Sequence, residues 1–391
     1  MSRFHILLFF LCAAAARDTE YERPVEETVR REGYPLEIHN VTTEDGYILT
    51  LHRIPHGKTN TTTSGKVVLL VHALLCSSSF WLLFPGKSLG YILADAGYDV
   101  WLINTRGNSY SRRHTSLNPD KDEAFWDFSW HEVGVYDLPA TIDHMLEKTN
   151  VSSVYFCGHS QGTTAFYVLT SIRPEYNSKV RVQVSLGPTA FLSNSISPVV
   201  RIASLLGHTG FYSRLLLLDS GLGEFLSRYS WVSVLGKAVC RGTLMEIVCE
   251  TVIFVLIGFN DFEISPSSMP VIIGQAPAGA STRQETHYVQ LARSGNFRQY
   301  DYGADRNLQV YDRITPPDYN LSMITVPGYS VHGSNDWIAD VKDVEKLHSL
   351  LGNPKERYLV SDPPYNHLDY LCGRSAARII NTKILEYFEE Y

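Results

Sequence analysis

The apolar residues of this chain gather into short continuous runs separated by longer amphipathic stretches. Tyr47–Ile54 follows the turn Glu44-Asp45-Gly46, and Lys66–His72 reads KVVLLVH. Asp99–Asn104 (DVWLIN), Val154–Gly158 (VYFCG) and Arg181–Gly187 (RVQVSLG) continue the series. Runs that are continuous rather than alternating predict strands covered on both faces, as in a parallel sheet. Between them, Trp81–Ala96, His131–Lys148 and Gly162–Ile172 have helical spacing. Strands alternating with helices predict a doubly wound α/β domain.

The rhythm breaks after Gly187-Pro188 and stays irregular to Pro317. It resumes with a strand at Thr325–Gly333, a helix at Val341–Leu351, a strand at Arg357–Ser361 and a final helix from about Ser375. The expected organisation is a core, 17–188 and 318–391, interrupted by a mainly helical cap at 189–317. Within the cap, the apolar run Thr251–Phe259 reads either as an ordinary buried helix or as a cap segment whose inner face meets a lipid. It is too short to cross a bilayer.

Composition narrows the class. The 391 residues are 44% hydrophobic, enough for a large core. The net charge is −7 and no basic tract is present, which argues against nucleic-acid binding. Arg3, the apolar run Ile6–Leu11 and Ala13–Ala16 form a secretory signal pattern, with residues 1–16 removed on export. The run is too short for a transmembrane segment. Four sequons, at Asn40, Asn60, Asn150 and Asn320, agree with export. Secretion is the expected destination, with the lysosome as the alternative. Cys240 and Cys249 are near neighbours that a secreted protein can oxidise, and Cys157 reads as a buried free thiol. No cysteine spacing reads as a zinc site, and no metal or cofactor is called for.

The strongest chemical signal is Gly158-His159-Ser160-Gln161-Gly162, placed after a strand and before a helix. A serine hydroxyl is a poor nucleophile unless a sharp turn lifts it to a base, and the flanking glycines permit that turn. Ser160 is the candidate nucleophile; His159, beside it, reads as structural. The base should follow the last strand. His367, in Asn366-His367-Leu368-Asp369, is favoured over His348, which sits inside a helix pattern. The orienting acid should follow the strand before that. Asp336 fits, with Asp340 as its rival one helical turn on, where it could instead cap the next helix. Two backbone N–H groups should hold an oxyanion, one from Gln161 and one from Leu74 in the loop after KVVLLVH. His72, ending that strand, reads as structural.

With these residues placed, the chain resembles the acid lipase family of gastric and lysosomal lipases, and looks like an invertebrate member. The resemblance runs from about Tyr21 to the end. It is carried by TTEDGYILTLHRIPHG at Thr42–Gly57, ILADAGYDVWLINTRGNSYSRRH at Ile92–His114 and FWDFSWHEVGVYDLPATID at Phe125–Asp143. GHSQGTT at Gly158–Thr164, APAGAS at Ala276–Ser281, NDWIAD at Asn335–Asp340 and YNHLDY at Tyr365–Tyr370 complete it. The family's motifs imply Ser160 as nucleophile, Asp336 rather than Asp340 as acid, His367 as base, and Leu74 and Gln161 as oxyanion donors. They also imply a cap disulfide Cys240–Cys249. Two departures stand out: the family's His-Gly-Leu is His72-Ala73-Leu74 here, and Asn194–Ser268 matches poorly.

The resemblance implies an α/β-hydrolase fold and a cofactor-free serine ester hydrolase acting on neutral lipid esters at a lipid–water interface. Triacylglycerol is the expected substrate, with sterol esters or shorter-chain esters as alternatives. An inactive lipid-binding protein on the same fold would have lost the serine, acid or histidine, and all three are present.

Overall fold

The computed structural model describes residues 22–59, 65–206, 222–227, 243–361 and 363–391. The signal segment, Asn60 and Cys240 lie outside these residues. The strands are β1 Glu37–Thr42, β2 Ile48–Ile54, β3 Val67–Val71, β4 Asp99–Ile103, β5 Val154–His159, β6 Val180–Leu186, β7 Glu224–Phe225, β8 Ala280–Ser281, β9 Gly328–Gly333 and β10 Pro354–Val360. The helices used below are α1 Val25–Arg31, α2 Leu89–Asp95, α3 Leu138–Thr149, α4 Gln161–Ile172, α5 Pro198–Leu206, α6 Thr243–Ile257, α7 Met269–Gln275, α8 Thr282–Ser294, α9 Ala304–Tyr311, α10 Val341–Leu350, α11 Asp369–Cys372 and α12 Thr382–Glu389.

Eight strands form one sheet in the order β1-β2-β4-β3-β5-β6-β9-β10. β1, β2 and β4 pair antiparallel, and every pairing from β4 to β10 is parallel. The continuous apolar runs have a direct physical cause. Along β3, Val68 and Leu70 enter one core cluster while Val67, Leu69 and Val71 enter another. β5 divides the same way, Tyr155 and Cys157 against Val154 and Phe156. Side chains alternate across a strand, so a sheet covered on both faces needs every position apolar.

Three elements depart from the sequence expectation. The stretch Trp81–Ala96 is not one helix: a 3-10 turn at Ser78–Trp81 is separated from α2 by Phe84-Pro85-Gly86, where Gly86 sits at φ +69°. Proline lacks the N–H a helix would need, and the left-handed glycine reverses the chain. The edge strand β1 was not anticipated, because only Val41 in it is buried and no apolar pattern marks it. The helix over His131–Lys148 is present but interrupted by a π turn at Val133–Asp137. There Gly134 lets the backbone close on α4: a Cβ at this position would lie 2.7 Å from the Val168 side chain.

Between β6 and β9 the chain leaves the sheet. In α6, Phe254 and Ile257 are buried against the core while Ile247, Val248 and Val255 are exposed, so the helix has one covered and one open apolar face. α8 packs onto the core: His287 stacks on Trp130 with ring centroids 3.6 Å apart, and Leu291 joins the same apolar cluster as Trp130. Among the described residues no helix is long and apolar enough to cross a membrane. Asn40, Asn150 and Asn320 are exposed. Cys249 is disulfide-bonded, and Cys76, Cys157 and Cys372 are buried free thiols.

Candidate active site

β5 ends at His159 and α4 begins at Gln161, so Ser160 alone makes the reversal, at φ +51° and ψ −115°. Such a conformation costs a non-glycine residue about 1–3 kcal/mol and persists only where its surroundings impose it. They do. The Ser160 N–H donates to the Leu186 carbonyl at 3.0 Å, and the Ser160 carbonyl accepts from the Thr163 N–H at 2.9 Å and the Thr163 hydroxyl at 2.6 Å. The glycines supply room: a Cβ on Gly162 would lie 2.3 Å from the Val71 carbonyl oxygen, and one on Gly158 would lie 2.9 Å from the Gly162 backbone.

The structure brings three predicted side chains into one row. His367 Nε2 lies 2.8 Å from Ser160 Oγ, and His367 Nδ1 lies 2.8 Å from Asp336 Oδ2. Asp336 follows β9 and His367 precedes α11. Asp336 Oδ1 accepts from the Ile338 and Ala339 N–H groups at 2.9 and 2.8 Å, and Oδ2 accepts from the Tyr370 hydroxyl at 2.9 Å. Burial alone would push this carboxyl up, but the charge and hydrogen bond of His367, with the Ala339 N–H and Tyr370 hydroxyl, hold it below the ordinary carboxylate range. An anionic Asp336 fixes the imidazole tautomer with Nε2 facing the serine. Asp340 instead caps α10, accepting from the Lys342 N–H at 2.8 Å. His348 lies on α10 beside Ser330, away from this row.

The two other histidines near the site serve as struts. Burial, then the neighbouring His367, pushes His159 down to about 3, so it is neutral. Its Nε2 donates to the His367 carbonyl at 2.9 Å. Burial likewise pushes His72 down to about 4. Its Nδ1 donates to the Ala73 carbonyl at 2.7 Å, and its Nε2 accepts from the Thr105 N–H at 3.1 Å. His72 therefore holds the loop carrying Leu74. The contact of Gly162 with Val71 sets this loop beside the serine turn. Leu75 adopts φ +61°, and its carbonyl accepts from the Ala278 N–H at 2.7 Å, which ties the loop to the APAGAS segment. The Leu74 N–H has no backbone acceptor among the described residues. Gln161 opens α4, where the helix leaves its first N–H groups without intrahelical partners.

Sequence reasoning missed several supports. Tyr370 lies three residues after His367 and was not singled out. Arg106, fully buried, binds Asp137 through Nε at 2.7 Å and Asp45 through both terminal nitrogens at 2.6 and 2.9 Å. Its guanidinium carbon sits 4.0 Å from the centre of the Tyr47 ring. This cluster joins the β2 turn to the π turn before α3. Its only signal in the sequence was that Asp45, Arg106 and Asp137 fall inside the segments carrying the family resemblance.

Residues 25–84 match a family model described as a partial alpha/beta-hydrolase lipase region, and 66–214 match the alpha/beta hydrolase fold. Lysosomal acid lipase/cholesteryl ester hydrolase of Homo sapiens is 38% identical over 381 residues, covering 96% of this chain and 93% of its own. The chain belongs to the acid lipase family. Lipase 1 of Drosophila melanogaster is 40% identical, over 93% of this acid lipase and 79% of its own length. Gastric triacylglycerol lipase of Rattus norvegicus is 37% identical, over 92% of this chain and 89% of its own. The acid lipase is thus a serine ester hydrolase on the α/β-hydrolase fold.

Proposed function

We propose that this acid lipase releases fatty acids from triacylglycerol at a lipid–water interface, with Ser160 as nucleophile, His367 as general base and acid, and Asp336 as its orienting carboxylate. The observation that carries the reading is the unbroken row Asp336–His367–Ser160, with both contacts at 2.8 Å. His367 Nε2 takes the hydroxyl proton as Ser160 Oγ adds to the ester carbonyl. The negative charge on the former carbonyl oxygen is received by the Leu74 and Gln161 N–H groups. The imidazolium, held by Asp336, protonates the leaving alcohol, and the acyl group stays on Ser160. Water then attacks with His367 again as base, freeing the fatty acid and the serine. The chemistry needs no cofactor.

The cap at 189–317, braced by a Cys240–Cys249 bridge, is proposed to shape the acyl site. Secretion, with glycans at Asn40, Asn60, Asn150 and Asn320, fits the signal pattern and the gastric relatives; lysosomal delivery is the alternative, from the human lysosomal relative. That relative's name includes cholesteryl ester hydrolase, which supports sterol esters as the second substrate reading. The test is a panel of triolein, cholesteryl oleate and short p-nitrophenyl esters across pH 4 to 9, with Ser160→Ala alongside. Triolein should dominate and the variant should be inactive. Cholesteryl oleate as preferred substrate would favour the second reading, and full activity in the variant would end the mechanism.

A further inference from the structure

The chain leaving cap helix α6 passes between the loop that carries Asp336 and the loop that carries His367. The Ile257 carbonyl accepts from the Trp337 N–H at 3.1 Å. The Phe259 carbonyl accepts from the Asn335 side-chain amide. On the other side, the Gly258 carbonyl accepts from the Asn366 amide at 3.0 Å. The fit at Gly258 is tight: it sits at φ +118°, and a Cβ there would lie 2.2 Å from the Asn335 carbonyl oxygen.

Asn260 completes the junction. Its amide donates to the Pro364 carbonyl at 2.9 Å and to Asp369 Oδ2 at 2.7 Å. The same Oδ2 accepts from the Asn366 N–H at 2.7 Å. Asn366 Oδ1 in turn accepts from the Leu368 and Asp369 N–H groups at 2.9 and 3.1 Å. The backbone on both sides of His367 is therefore tied to side chains, and one oxygen of Asp369 joins that loop to the cap. Asn260, Asn366 and Asp369 are all buried. None of them touches the reacting atoms.

We propose that Asp369 is a positioning residue: with Asn260 and Asn366 it clamps the His367 loop to the exit of α6, so that the seating of the cap sets the alignment of His367 with Asp336 and Ser160. This rests on the serine–histidine–aspartate reading above.

The second carboxylate oxygen, Oδ1, is buried and has no hydrogen-bond partner among the described residues. A proton can therefore be taken on Oδ1 without breaking either bond to Oδ2. Burial first, opposed by the Asn366 N–H and Asn260 and reinforced by the charges of the Glu263 and Asp336 carboxylates, brings this group up to about 7. The clamp holds in both ionisation states, so it survives acidification.

The test uses the mature full-length enzyme and a soluble short-chain ester. Asn260→Leu cuts the cap arm while every residue of the histidine loop keeps its own side chain, and Asp369→Leu removes both acceptors. Each should lower kcat about tenfold or more with KM little changed, since small misplacements of a catalytic group cost that much. The His367 Nδ1 proton resonance should shift in the same variants. Asp369→Asn, which keeps one acceptor and mimics the neutral acid, should recover most of the lost kcat. Phe262→Ser, on an exposed side chain of the same segment, should leave kcat unchanged. Wild-type kcat and an unmoved resonance in Asn260→Leu would overturn the proposal, as would a loss of kcat that only follows a loss of folded protein. If Asp369→Leu does not fold, Asn260→Leu still decides. Ser160→Ala separates the two readings: activity in that variant removes the triad itself, whereas an inactive Ser160→Ala with a normal Asn260→Leu removes only the clamp.

Discussion

His159, the residue immediately before Ser160, donates its Nε2 proton to the backbone carbonyl of His367, 2.9 Å away and 208 residues later in the chain. The Ser160 turn thus holds the His367 loop directly. His159→Phe keeps an aromatic ring and removes the donor, leaving a buried carbonyl unsatisfied at a cost of about 1–3 kcal/mol. kcat on a soluble ester should fall about tenfold, by the conversion of 1.4 kcal/mol to a factor of ten. Steady-state kinetics beside a melting curve checks this, and an unchanged kcat would remove the strut.

Tyr370 has a comparable part beside Asp336. Its hydroxyl donates to Asp336 Oδ2 and accepts from the Gly333 N–H at 2.6 Å. Because that donation helps hold the Asp336 carboxyl down, Tyr370→Phe lets Asp336 take up its proton at higher pH. The acid limb of kcat/KM should move upward, by about one pH unit or less for the loss of a single hydrogen bond. A pH–rate profile that superimposes on the wild type would refute this.

Gly162→Ala tests the serine turn by geometry. The added methyl would lie 2.3 Å from the Val71 carbonyl, at the end of β3 and the start of the Leu74 loop. Either the strand or the turn must shift. The expected result is a loss of at least about 100-fold in kcat/KM together with a lower melting temperature, because overpacking a closed backbone contact costs about 1–3 kcal/mol or more. A fully active, stable variant would mean the turn is softer than its contacts imply.

His72 gives a pH-dependent prediction with a defined sign. Burial holds it at about 4 in the folded chain, against an ordinary value of 6.5. Between these values the unfolded chain carries a proton that the folded chain does not. Stability from this group is therefore intact above about 6.5 and declines as pH falls toward 4. His72→Gln lacks that titration. The gap in unfolding free energy between wild type and variant, from denaturant titrations, should narrow from pH 7 to pH 4, by an amount on the order of 3 kcal/mol at full effect. A gap independent of pH would contradict a neutral buried His72.

Much of the site was legible because its signals are local. The pentapeptide around Ser160 carries its own glycines, and the strand before it and helix after it show in the apolar pattern. Chain order then pointed to Asp336 and His367. Asp340 remained a rival to Asp336 by pattern, since it follows the same strand one helical turn further on. The structure separates their work: Asp336 meets His367 and Asp340 caps α10. The exposed edge strand β1 and the break at Phe84-Pro85-Gly86 were not read, the first because it buries one apolar residue, the second because helical spacing continued across it.

The sequence by itself determined the layered α/β core, the serine turn and the chain order of Ser160, Asp336 and His367, because each is written in neighbouring residues or in a repeating period. Only the tertiary structure decided what holds these residues in place. The His159–His367 bond, the Arg106 cluster with Asp45 and Asp137, and the threading of Gly258 between Asn335 and Asn366 all join segments far apart in the chain. Such contacts follow from how the sheet stacks its loops at one end, and a single strand or helix carries no periodic trace of the partner it will meet there.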